Sequence, residues 1–66
     1  MYKNLEREMI RKNISRNVLA EFLGVKNATI CDKINGKFSF KLNEALKIKT
    51  YFFPELTIEY LFEISE

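Results

Sequence analysis

The sequence predicts an all-α domain of about five short helices, and three observations carry that prediction. Helix-breaking residues are sparse, with only Gly24, Gly36 and Pro54 punctuating the chain. Between these breaks, apolar residues recur three and four apart rather than alternating, which is the period of a helix and not of a strand. Ser15 and Thr57, whose hydroxyls can accept from free backbone N–H groups, stand just before apolar-periodic runs. Nothing in the pattern requires a strand.

Taken in order, the first helix is expected over about residues 3–12, with Leu5, Met9 and Ile10 on one stripe and Tyr2 a turn earlier. Ile14 precedes Ser15, and a second helix follows through Val18, Leu19, Phe22 and Leu23 until Gly24 ends it. A third helix runs from Asn27 to Ile34, starting at Lys26 or Asn27 and stopped by Asn35-Gly36. Residues 37–41 form a loop whose Phe38 and Phe40 are expected to reach back to the core. The fourth helix covers about 42–52 with Leu42, Ala45, Leu46 and Ile48 inward. Pro54 breaks it, and Thr57 caps a short fifth helix through Ile58, Leu61 and Phe62.

Sixty-six residues make one domain, 1–66. A chain this short buries only about 60% of the surface its unfolded form exposes, so the core must be small. Six Phe and three Tyr in a sequence that is 47% apolar suffice for one such core. A deep enzyme cleft would be carved out of that same core.

Composition excludes several chemistries. The single cysteine, Cys31, has no internal disulfide partner, and the absence of histidine removes imidazole acid–base chemistry and His/Cys zinc sites. No carboxylate pair, nucleophile beside a base or phosphate-cradling glycine loop is evident, so no enzyme is expected. No cofactor, metal or small-molecule substrate is implied. The N-terminal MYKNLEREMIRKN mixes charges among its apolar residues and reads as neither secretory signal nor membrane span. A reduced, cytoplasmic setting follows as the expectation.

Net charge is only +2, but its distribution is uneven. All eleven Lys and Arg lie in residues 1–49, against five acids, for a balance of +6. Residues 50–66 carry no base and four acids, Glu55, Glu59, Glu63 and Glu66. One end of the chain suits a polyanion and the other repels one.

Residues 14–37 are the most informative segment. Two short helices joined by a tight Gly-containing turn pack at a steep angle, so one is braced while the other projects. Ala20 is small where these helices approach, Gly24 permits the turn, Val25 plugs the angle, and Ile30 anchors the third helix, with Leu19 and Leu23 opposite. At about 100° per residue, Ile30 and Ile34 share one face of that helix, while Ala28 and Asp32 lie nearly opposite with Thr29 beside them.

Leu-Ala-Glu-x-Leu-Gly-Val at 19–25, Thr29-Ile30, Asn35-Gly36-Lys37 and Ala45-Leu46-Lys47-Ile48 occur in order and at the right separations. In these motifs the chain resembles the Cro/CI-type helix-turn-helix regulators, the lambda-repressor-like family of phage repressors and small bacterial regulators. The resemblance covers nearly the whole chain. It implies a compact five-helix domain with a central helix-turn-helix at about 15–36, whose third helix enters the major groove of duplex DNA, and usually a homodimer.

On that resemblance, Asn27, Ala28 and Asp32 are candidates for base contact, and Lys26 and Thr29 for base edge or phosphate. Asn27 can pair two ways with adenine, the Ala28 methyl suits a thymine methyl, and the acceptor-only Asp32 favours a cytosine amino group. Arg16, at the start of the second helix, matches a backbone-contacting position, where N–H groups and the helix dipole also attract an anion. Lys37 and the N–H groups around Asn35-Gly36 are expected to form a second phosphate clamp, with Lys33 and Lys41 adding to it. The bland reading of each lysine is a solvated charge, and of Asp32 a partner for Lys33 or another base.

The chain departs from the family at one point: Lys33 stands where an apolar residue is common, followed by Ile34. The departure bears on the rotation of the third helix, and so on Asp32 more than on Asn27 or Ala28. Cys31, on the flank of this helix, reads as a packing residue rather than a redox switch.

The C-terminal stretch 50–66 is dense in aromatics. Part of it is expected to close the core and the remainder, notably Phe53, Tyr60 and Phe62, to form a two-fold interface. Such dimers bind half-sites about 34 Å apart, so the operator would be nearly palindromic. Two function classes therefore stand. One is a sequence-specific DNA-binding transcriptional regulator, a repressor of phage or bacterial origin. The other is a protein-interaction module, such as an antitoxin or assembly subunit, reusing the same fold.

Overall fold

Five helices occupy residues 1–64, the residues described by a computed structural model: α1 (Lys3–Arg11), α2 (Arg16–Leu23), α3 (Asn27–Ile34), α4 (Leu42–Phe52) and α5 (Ile58–Leu61). No strand occurs among the described residues, and none of their helices is long and apolar enough to cross a membrane. Ser65 and Glu66, at the end of the stretch expected to close the core, lie outside the described residues.

Local chemistry accounts for the helix ends. After α1, Asn13 adopts a left-handed φ of 59°, and the N–H of Ile14 returns to the Met9 carbonyl at 2.8 Å. Asn tolerates this conformation better than most side chains. Ser15 is extended, and its Oγ accepts from the Val18 N–H at 3.1 Å, starting α2. Gly24, at φ 72°, ends α2 while the Val25 N–H takes up the Ala20 carbonyl at 3.0 Å. A Cβ at Gly24 would meet nothing, so the backbone angle and not space calls for glycine. The Thr57 Oγ1 caps α5 through the Tyr60 N–H at 3.1 Å.

The core is built from Tyr2, Leu5 and Met9 of the first segment, Leu19 and Ala20 of α2, Ile30 and Ile34 of α3, Ala45 and Ile48 of α4, then Phe53 and Leu61. Polar tacks hold α5 to α1. The Asn4 amide donates to the Tyr60 carbonyl at 2.9 Å and to Glu63 at 3.1 Å, and the Tyr60 hydroxyl donates to Glu8 at 2.7 Å. Lys12 reaches the Phe52 carbonyl at 2.8 Å and Glu55 at 2.7 Å, tying the end of α1 to the end of α4.

Several expected inward residues face out. In α4 the buried arc is Ala45 and Ile48 with half-buried Phe52, which leaves Leu42 71% and Leu46 47% exposed. These two leucines lie roughly 90–130° around the helix from that arc. Leu5 and Met9 fill the inward face of α1, and Ile10 is 74% exposed. Val18 and Phe38 are exposed as well, so only Phe40 of the loop packs inward.

The aromatics assigned to a two-fold interface are used within the chain. Phe53 is fully buried, because the backbone leaves α4 just before Pro54 and turns this ring into the core. Phe62 packs edge-on against Tyr2 and Phe40, and Tyr60 is held half-buried by Glu8.

Lys33 is also buried. Its ammonium donates to the Glu44 Oε1 at 2.6 Å and lies 5.7 Å from the Phe40 ring centroid. The same Glu44 oxygen accepts the Lys41 N–H at 2.9 Å. Burial, the largest single influence, raises the Glu44 pKa. The Lys33 hydrogen bond, the Lys41 N–H and the two nearby positive charges together outweigh it and hold the carboxyl below its ordinary value of 4.5.

Two outcomes follow from this packing. Phe53→Ala is expected to cost about 3–5 kcal/mol in urea unfolding, since it opens a cavity in the core; a loss well under 1 kcal/mol would show that the ring is not buried. The stability contributed by the Glu44 carboxylate is complete above the unfolded value, near pH 4.5, and is lost as pH falls through the lowered folded value. Glu44→Gln, which strands the Lys33 charge, is expected to cost on the order of 3 kcal/mol at neutral pH and to flatten this acid limb. Unfolding curves at pH 7 and across an acid series check both.

Candidate nucleic-acid interface

The candidate surface is the outward side of α3, and the burial of its opposite side defines it. Ile30, Lys33 and Ile34 form the inward arc. Opposite them at helical spacing stand Ala28, exposed, and Asp32, half-buried. Lys26 and Asn27 are exposed at the helix start, and Thr29 is half-buried on one flank. Lys26 is extended, with no side-chain hydrogen bond capping the helix. The five residues expected to meet bases therefore lie on one turn and its outward continuation.

Their partners differ. The Cys31 thiol, half-buried, lies 3.9 Å from the Asn27 Oδ1, which leaves the Asn27 amide nitrogen unengaged. No ion pair or hydrogen bond holds the Asp32 carboxylate among the described residues, since Lys33 is turned away to Glu44. Asp32 contributes instead through its backbone, where its carbonyl accepts the Lys37 N–H at 2.9 Å.

The five residues expected to touch phosphate separate into four groups. Lys37 and Lys41 are exposed on the loop between α3 and α4. Arg16 is partly exposed but pairs with Glu6 of α1. Lys33 leaves the set altogether: it is 7% exposed and its charge is already matched within the fold. The clamp expected from the N–H groups at Asn35-Gly36 is corrected too. Asn35 donates to the Cys31 carbonyl at 3.0 Å and Gly36 to the Lys33 carbonyl at 3.1 Å, so both N–H groups finish α3. The Asn35 side chain remains exposed.

Tertiary contacts bring the first residues of the chain to the end of α3. The Tyr2 N–H donates to the Ile34 carbonyl at 3.0 Å, joining the start of α1 to the end of α3. A Cβ at Gly36 would stand 2.7 Å from the Met1 nitrogen, so only glycine, at φ 90°, admits this approach. Lys3 and Arg7 lie exposed on α1, bordering a shallow hollow with Glu6 and Ile10. Their spacing of four was readable as a basic stripe, but nothing local indicated that α1 adjoins α3.

No group of three or more Cys, Asp and Glu side chains is placed to hold a metal ion among the described residues. A second outward feature is apolar: Phe22 stacks on Tyr51 at 4.9 Å between centroids, beside Leu46 and Thr50, with Lys47 at the rim. Comparison of the chain with family models, with curated proteins and with solved structures gives no match.

Proposed function

We propose that this chain is a sequence-specific double-stranded DNA-binding protein, a transcriptional regulator of the Cro/CI, lambda-repressor-like type, with α3 as its recognition helix in the major groove. One observation carries the reading: Ile30, Lys33 and Ile34 are buried together, leaving Lys26, Asn27 and Ala28 exposed at the start of α3. Short polar and methyl side chains on a projecting helix start suit base edges. Lys37 and Lys41, exposed beyond the other end of α3, suit the flanking phosphates.

Arg16 enters this scheme in competition. Its guanidinium would exchange Glu6 for phosphate, so Glu6 moderates affinity at the start of α2. Two-fold pairing on a nearly palindromic operator belongs to the same reading.

A second reading, a protein-interaction module, is favoured by the apolar surface that exposed Leu46 and Tyr51 form with half-buried Phe22, and by the unpaired acid on the outward side of α3. Binding to random duplex over a salt series separates the two. The DNA reading requires retention at low salt that weakens by about 0.9 log unit per log unit of salt for each phosphate neutralised. No retention at any salt would leave the interaction module.

Selection from a randomised duplex pool then reports half-site, spacing and symmetry. Asn27→Ala is expected to relax preference at one or two positions at a cost of about 1–3 kcal/mol, and Lys37→Ala to weaken all sequences alike with a shallower salt slope. Glu6→Gln, releasing Arg16, is expected to tighten binding to every duplex, and unchanged affinity in that variant contradicts the competition.

A further inference from the structure

Phe38 is the outward-facing aromatic of the loop between α3 and α4. It is 53% exposed, whereas Phe40, two residues on, packs edge-on against Tyr2 at 5.2 Å and Phe62 at 5.3 Å between centroids. Both ends of the loop are pinned. The Lys37 N–H donates to the Asp32 carbonyl at 2.9 Å, the Phe40 N–H to the Tyr2 hydroxyl at 3.4 Å, and the Lys41 N–H to Glu44 at 2.9 Å. Lys37, Ser39 and Lys41, its near neighbours in sequence, are exposed too, and the Lys37 ammonium lies 5.8 Å from the ring centroid. No other aromatic side chain stacks on it among the described residues.

An apolar ring on an anchored loop, with one cation against it and another three residues on in the same loop, matches a surface that alternates apolar and anionic groups. The backbone of duplex DNA is such a surface, with the C–H faces of deoxyribose between its phosphates. We infer that Phe38 packs on a deoxyribose of the DNA backbone at the groove edge, with Lys37 and Lys41 on the phosphates to either side. This inference rests on the DNA-binding reading above and names a contact that reading does not contain. Because the loop is already ordered, little conformational freedom is lost on docking. Because the ring is uncharged, its burial releases no counterion. Phe38 therefore adds affinity that is independent both of base sequence and of salt.

The test compares the wild-type chain with Phe38→Ala, Phe38→Leu and Lys37→Ala. Each is titrated against a duplex selected from the randomised pool and against a random duplex, over a salt series. Circular-dichroism melts check that each variant is folded. Phe38→Ala is expected to weaken both duplexes equally, by about five-fold, with an unchanged salt slope, and Phe38→Leu to recover most of that loss. Lys37→Ala is expected to reduce the slope by about 0.9. Wild-type affinity in a folded Phe38→Ala variant overturns the inference and leaves the DNA-binding reading standing. A loss confined to the selected duplex overturns it in favour of base contact. A duplex bend that disappears with Phe38→Ala, read by energy transfer between end labels, overturns it in favour of insertion between base steps. A wild-type chain that binds neither duplex removes both readings together.

Discussion

A single oxygen of Glu44 accepts from two places at once, the Lys33 ammonium near the end of α3 and the Lys41 N–H at the start of α4. The seven-residue connection between these helices (35–41) is therefore fixed at its far end by the same group that neutralises a buried cation in the last turn of α3. Removing two charges from water is costly, and the geometry here offsets that cost with short hydrogen bonds and the face of Phe40. Phe40 in turn sits in a cluster with Tyr2 and Phe62, which binds the beginning and the end of the chain under the loop. The outward surface of α3 and its loop is what this arrangement leaves in solvent.

Charge in the fold is sorted by whether a partner was within reach. Lys12, Arg16 and Lys33 are matched by Glu55, Glu6 and Glu44. Lys26, Lys37 and Lys41 stay exposed at the two ends of α3, and Lys3 and Arg7 stay exposed on α1. The acidic C-terminal segment is not simply a far pole, because Glu55 is paired with Lys12 and Glu63 receives the Asn4 amide. A polyanion approaching α3 would meet unmatched cations at both ends of the helix, which is the electrostatic ground of the proposed function. Asp32 runs against that field, and a carboxylate kept there unpaired suits a local donor better than a phosphate.

Much of the fold was legible in local residues. Ser15 and Thr57 cap the helices they were expected to cap, Gly24 takes the left-handed turn, and the spacing of Ile30 and Ile34 placed both on the buried side of α3. The exposure of Ala28 was legible for the same reason, since it lies opposite the two buried isoleucines, whereas Lys26 and Asn27 are exposed as the first residues of the helix rather than by lying on that side. Lys33 was misleading because a lysine carries an apolar stem below its charge, and whether the head reaches water depends on a carboxylate eleven residues away.

The leucines of α4 show the other limit. Leu42, Ala45, Leu46 and Ile48 form an acceptable stripe, as do Ala45, Ile48 and Phe52, and the periodicity alone ranks neither. Closure by Phe53 and Leu61 selected the second arc and turned Leu42 and Leu46 outward. Phe38 and Phe40 are alike in composition and adjacent in pattern, yet one is core and the other surface. By itself, then, the sequence determined the helices, their caps and the inward isoleucines of α3, because those depend on backbone angles and residues within a turn of one another. The rotation of α1 and α4, the pairing of Lys33 and Arg16, and the residues around the end of α3 were decided only by tertiary structure, because each turns on which distant side chain fills the same space first.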